Sequence, residues 1–96
     1  MRIDWSLVGH DDVLRAVAEF DALGAAGFYA RHGFAPATTY EMVVDGRKYP
    51  PKAVLGTAFE FATGTRLASG DFEGGRSGAV RVLQNLGFDI RHSRVR

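Results

Sequence analysis

The stretch Asp45-Gly46-Arg47-Lys48-Tyr49-Pro50-Pro51-Lys52 decides the fold. Asp-Gly between strand formers signals a two-residue hairpin turn, because both residues accept the positive φ such a turn needs. Thr39-Tyr40-Glu41-Met42-Val43-Val44 precedes it, alternates weakly and is rich in strand formers. Residues 39–44 and 47–49 therefore read as the two arms. Pro50-Pro51 then opens a helix, where a missing N–H costs nothing because it would be unpaired anyway. Lys52 falls in the first turn of that helix. The positive end of the helix dipole mildly disfavours a cation there. A lysine placed against that preference points to an anion from outside the chain. Phosphate is the usual candidate, since helix starts offer free N–H groups.

Outward from this centre, the helix runs over residues 50–63 with Val54, Leu55, Ala58, Phe59 and Ala62 as its apolar stripe and Gly64 as its cap. Upstream, Val13, Val17 and Phe20, with Leu23 as a candidate fourth, give an amphipathic helix over 9–23 that Gly24 stops. Asp11 and Asp12 sit in its first turn, where the dipole favours them. A short helix over 25–31 follows, ended by Gly33, with Phe28 and Phe34 as core anchors and Tyr29 turned either way. Trp5 and Ile3 read as a core edge or lid. Downstream, residues 65–75 form a glycine-containing loop anchored by Phe72. A fourth helix is expected over 76–86 on Ala79, Val80, Leu83 and Leu86, and a last strand over 88–92 with Phe88 and Ile90 inward. The order α-α-β-β-α-α-β gives an α+β fold: a small antiparallel sheet, hairpin plus C-terminal strand, packed on about four helices.

The 96 residues suffice for one domain with one modest core. The basic tail of residues 91–96 stops without a natural ending, so the chain reads as a module, an N-terminal one on the likeness given below, of a longer protein. No apolar run approaches the roughly 20 residues that span a bilayer. The start Met-Arg-Ile-Asp-Trp has no signal-peptide pattern. Zero cysteines exclude disulfides, thiolate zinc sites and thiol nucleophiles, which suits a reducing cytoplasm.

The net charge of +1 hides an asymmetry. Residues 1–46 hold three arginines against seven carboxylates, net −4, and residues 47–96 hold nine cations against four, net +5. Such a division fits a polyanion partner, or two halves that attract each other.

The start of the expected fourth helix repeats the pattern at Lys52: Phe72-Glu73-Gly74-Gly75-Arg76-Ser77. The glycines serve either close approach of backbone to its surroundings or a turn with positive φ. Arg76 and Ser77 could meet a phosphate, and Arg81 could extend the patch. Tyr49, between Lys48 and Pro50, either stacks on a base and bonds a phosphate or buries its ring under the helix. The phosphate-binding candidates are thus Arg47, Lys48, Tyr49, Lys52, Arg76, Ser77 and Arg81.

No catalytic constellation emerges. The Gly-x4-Gly-Lys-Ser/Thr loop is absent, and Gly24, Gly27 and Gly33 have the wrong spacing for a dinucleotide fingerprint. His10, His32 and His92 lack metal-ligand spacing and read as surface or helix-end histidines, His32 as a partner of a helix C-terminus. Asp11-Asp12 and Asp71/Glu73 are explained by capping and loop solvation. No cofactor and no metal is expected.

Three blocks carry a family likeness: Arg47-Lys48-Tyr49-Pro50-Pro51-Lys52-Ala53-Val54-Leu55-Gly56, Gly70-Asp71-Phe72-Glu73-Gly74-Gly75 and Leu86-Gly87-Phe88-Asp89-Ile90. Together they resemble the N-terminal head domain of ScoMcrA-like HNH endonucleases, which are modification-dependent (type IV) restriction enzymes. The likeness is strong over residues 46–90 and loose over the first helices. It implies a role in host defence against foreign or modified DNA, with modification-reading and nuclease domains downstream. No His-Asn-His nuclease pattern is present, so the resemblance brings no catalytic residue. The positions it carries over are Tyr49, Pro51, Lys52, Phe72, Gly74 and Gly75. The resulting expectation is a DNA-binding accessory domain holding backbone phosphates. The alternative is a module that docks on its own enzyme's other domains or on a second copy.

Overall fold

The hairpin turn forms as its chemistry requires: Asp45 and Gly46 both take positive φ, 52° and 78°. In the computed structural model, which describes residues 3–36 and 39–93, this turn joins β1 (Tyr40–Val44) to β2 (Arg47–Tyr49), with Val44 opposite Arg47. A third strand, β3 (Asp89–His92), pairs antiparallel with the other side of β1, giving the order β2-β1-β3. Met42 at the centre of β1 lies opposite Tyr49 and Ile90 and is fully buried.

Three α-helices pack on this sheet: α1 (His10–His32), α2 (Pro51–Thr63) and α3 (Ala79–Asn85), with single 3-10 turns at Trp5–Leu7 and Ser69–Asp71. The four expected helices count as three because the first two run on as α1. Gly24 still marks the break: its φ of 75° and ψ of 167° are non-helical and kink the element there. Leu23, just before the kink, stays 38% exposed and is not part of the core. Gly33 ends α1 in the left-handed region, its N–H bonded to the Tyr29 carbonyl at 2.8 Å.

Helix α2 is the centre of the molecule. Its residues Pro51 and Ala53 through Phe59 are all buried, because it touches α1, α3, β1 and both 3-10 turns. Gly56 permits a close approach: a Cβ there would come within 2.3 Å of the Phe34 ring. Phe34 therefore enters a space that any larger residue would close. Val13, Val17, Tyr49, Leu55, Leu83 and Phe88 belong to the main core around α2.

The last helix begins three residues later than expected, at Ala79, the first residue of its apolar set. Residues 75–78 form a turn in which the Gly78 N–H meets the Gly75 carbonyl at 3.0 Å, and the Ala79 N–H reaches back to the Glu73 carbonyl at 2.8 Å. Arg76 and Ser77 thus lie in this turn and not in a helix. Gly78 fixes it: a Cβ there would lie 1.9 Å from the Glu73 carbonyl oxygen.

His32 sits in the last turn of α1, the helix-end reading of its two alternatives. It is buried, not at the surface, and bonds Glu19 through Nε2, with Glu60 3.7 Å from Nδ1. The kink at Gly24 explains this, since it redirects the second half of α1 so that its last turn meets α2. His10 and His92 are exposed, stacked on Phe88 at 4.4 Å and edge-on to Tyr40 at 5.2 Å respectively. Arg94 and Arg96 of the basic tail lie outside the described residues.

Candidate nucleic-acid interface

Lys52 sits at the first turn of α2, as its place after Pro50-Pro51 dictates. Its stem lies across Gly74, where an added Cβ would come within 3.1 Å of Lys52 Cδ. Neither Gly74 nor Gly75 has positive φ. Close approach, not turn geometry, is therefore the reason for glycine at 74. The Lys52 ammonium lies 5.3 Å from the centroid of the Phe72 ring. That contact offsets part of the unfavourable dipole, at about 0.5–1 kcal/mol for a partly exposed pair. No carboxylate pairs with Lys52 among the described residues.

Lys52 borders a cleft of about 350 Å³ whose walls include Pro36, Tyr40, Pro51, Gly74 and Gly75. Arg76 follows Gly75 directly, is exposed, and likewise has no carboxylate partner among the described residues. Of the two cations at expected helix starts, Lys52 lines the cleft, and Arg76 lies one residue beyond its Gly75 wall, in a turn. Ser77 Oγ donates to Glu73 Oε1 at 3.2 Å, so its hydroxyl already has a partner. Arg81 is exposed on α3 and does not line the cleft.

The hairpin candidates meet a different fate. Tyr49 is only 4% exposed; its ring packs edge-on against Phe20 at 5.3 Å and its hydroxyl donates to Asp21 Oδ1 at 2.8 Å. Of its two readings, the buried one holds. Burial first, then the Asp21 hydrogen bond and charge, push the Tyr49 phenol above its ordinary pKa, with Arg47 opposing. Arg47 lies 3.7 Å from Asp21, and Lys48 3.7 Å from Glu41. Opposite charges of the two sequence halves therefore meet within one chain. Beside this hairpin lies a second depression of about 170 Å³, bounded by Tyr29, Tyr40, Glu41, Lys48 and Pro50.

Tyr40 lines both depressions and did not stand out in the sequence. It reads there as one more strand former. Only the folding of β1 against the start of α2 gives it a place at the cleft. Among the described residues, no group of three His, Cys, Asp or Glu side chains could hold a metal ion. No helix among them is long and apolar enough to cross a membrane.

Fold and site together define a small α+β module with a cation-rimmed cleft beside its central helix. The chain belongs to the ScoMcrA-like N-terminal head domain family, whose model matches residues 6–92. The likeness carried by Tyr49-Pro50-Pro51-Lys52 and its companion blocks thus extends through the first helices. The chain is also similar to a solved structure, the type IV phosphorothioation-dependent restriction endonuclease ScoMcrA, with a TM-score of 0.68 and 29% identity. The match covers 93% of this chain but 14% of that one. Comparison with curated proteins finds no match.

Proposed function

We propose that this chain is the DNA-contacting head of a modification-dependent restriction endonuclease, a module of a longer protein whose HNH nuclease lies elsewhere. Lys52 and Arg76 hold backbone phosphates, and Arg47, Lys48 and Arg81 add weaker attraction. The observation that supports this reading is Lys52 on the cleft lining, with Arg76 one residue beyond the Gly75 wall and no carboxylate paired with either among the described residues. Family membership supports the setting, since ScoMcrA is a restriction endonuclease. Phosphate contacts position a protein on DNA without specifying sequence. Each neutralised phosphate releases counterions, so affinity should fall with salt at a log–log slope of about −0.9 per duplex contact. The test is a duplex titration at several salt concentrations. Lys52→Ala and Arg76→Ala should each flatten the slope by about 0.9. A slope near zero in the unaltered chain contradicts the reading.

A docking module is the second reading, favoured by one observation. Leu7 is 55% exposed, and its chain neighbours Ser6 and Val8 line a depression of about 260 Å³ together with Trp5, Val82, Asn85 and Leu86. Sedimentation at rising concentration separates the two: self-association without DNA affinity supports docking.

A further inference from the structure

Duplex phosphates alone would leave the cleft beside Lys52 unused. Its volume of about 350 Å³ falls at the small end of the roughly 300–1,000 Å³ of ligand pockets. A phosphate is wholly polar, yet Pro36, Tyr40 and Pro51 give this cleft apolar walls. Apolar walls with a cation at the rim suit a ligand with a flat apolar body and an anionic end. A nucleotide has that form. In an intact duplex its base is paired and stacked out of reach, whereas in an unpaired strand it is free to leave the backbone and stack on an aromatic ring.

We propose that the cleft takes one base of an unpaired DNA strand, with Tyr40 as its stacking partner and Lys52 and Arg76 on the flanking phosphates. This rests on the reading of the chain as DNA-binding and narrows its substrate to single-stranded or locally opened DNA. Tyr40 is half-buried, held edge-on by His92 at 5.2 Å, and stands between the two depressions. The hairpin-side depression contains the Glu41 carboxylate, paired with Lys48 at 3.7 Å. A phosphate entering there meets like charge. The Lys52 side has no carboxylate in its lining. Gly74 keeps that side open, because a side chain at 74 would press on the Lys52 stem.

The test uses the whole 96-residue chain and fluorescence anisotropy at one salt concentration. The probes are a labelled mixed-sequence single strand and the same strand annealed to its complement. The single strand should bind about tenfold or more tighter, the range expected for one base stacked on an aromatic ring. Tyr40→Ala should bring the ratio of the two affinities close to one. Gly74→Leu should do the same by filling the cleft, and it serves if Tyr40→Ala proves misfolded by circular dichroism; its Cβ presses on the Lys52 stem, so both probes should weaken while their ratio nears one. Equal or tighter binding to the duplex overturns the proposal while leaving phosphate binding in place. So does a single-strand preference that survives both substitutions. Failure to bind either probe at low salt overturns the DNA reading itself, and this proposal with it.

Discussion

The hairpin and the cleft rim are both rich in cations, and they differ in what those cations face. At the hairpin, Arg47 and Lys48 each have a carboxylate 3.7 Å away, and Tyr49 spends its hydroxyl on Asp21. Beside the cleft, the Lys52 ammonium faces the Phe72 ring at 5.3 Å, and neither Lys52 nor Arg76 has a carboxylate partner among the described residues. The hairpin therefore serves the fold, and the rim is left with charge to offer a partner. Local density of lysine and arginine does not separate these cases. The position of Asp21 and Glu41 does, and it follows from how α1 and β1 pack beside β2.

The largest expected effect lies at the hairpin. Tyr49→Ala removes a buried aromatic ring and should cost about 3–5 kcal/mol of stability, measured by chemical denaturation. A loss under about 1 kcal/mol would mean that the hairpin is not the structural member of the pair. Next is Gly78→Ala, which forces a methyl against the Glu73 carbonyl and should cost about 1–3 kcal/mol through overpacking. Because that turn carries Arg76 and adjoins the Gly74–Gly75 wall of the cleft, DNA affinity should fall even in the folded fraction. Unchanged affinity would detach the turn from the site.

Lys52→Ala should sharpen the contrast from the other side. It makes no ion pair, and loss of the Phe72 ring contact is offset by relief of the unfavourable dipole, so stability should change by under about 1 kcal/mol, while duplex affinity and its salt slope both fall. Lys48→Ala removes one exposed ion pair, worth about 0.2–1 kcal/mol, and should barely alter the slope. The smallest effect concerns pH. The folded state raises the Tyr49 pKa, so it favours the neutral phenol. The unfolded chain therefore loses its proton first, near its ordinary value of 10. The Tyr49 contribution is complete below that pH and is lost as pH climbs from there through the higher folded value. Tyr49→Phe should lack this alkaline component, and an identical alkaline profile in the variant would show that the burial of the phenol has no such consequence.

Local chemistry made much of the fold legible in the sequence. Asp45-Gly46 fixed the turn, Pro50-Pro51 the start of α2, and Gly64 its end, because each depends on a residue's own backbone preferences. What stayed hidden depends on distant neighbours. Gly56 and Gly78 are required by Phe34 and the Glu73 carbonyl, contacts that no periodicity records. The turn over residues 75–78 holds the start of α3 back from Arg76 to Ala79, the first of its apolar set. His32 became a buried partner of Glu19 and Glu60 because the Gly24 kink carries it onto α2. The site was half legible. Lys52 and Arg76 were visible as cations at expected helix starts, but Tyr40 and Pro36 join Lys52 only through the tertiary arrangement.

The most direct measurement compares duplex DNA affinity over a range of salt for the unaltered chain, Lys52→Ala/Arg76→Ala and Arg47→Ala/Lys48→Ala. We expect the rim double variant to lose about 1.8 from the magnitude of the log–log slope, two phosphate contacts' worth, and the hairpin double variant to lose far less. Equal losses from the two variants, or a larger loss from the hairpin, would contradict the assignment of phosphate binding to the Lys52–Arg76 rim.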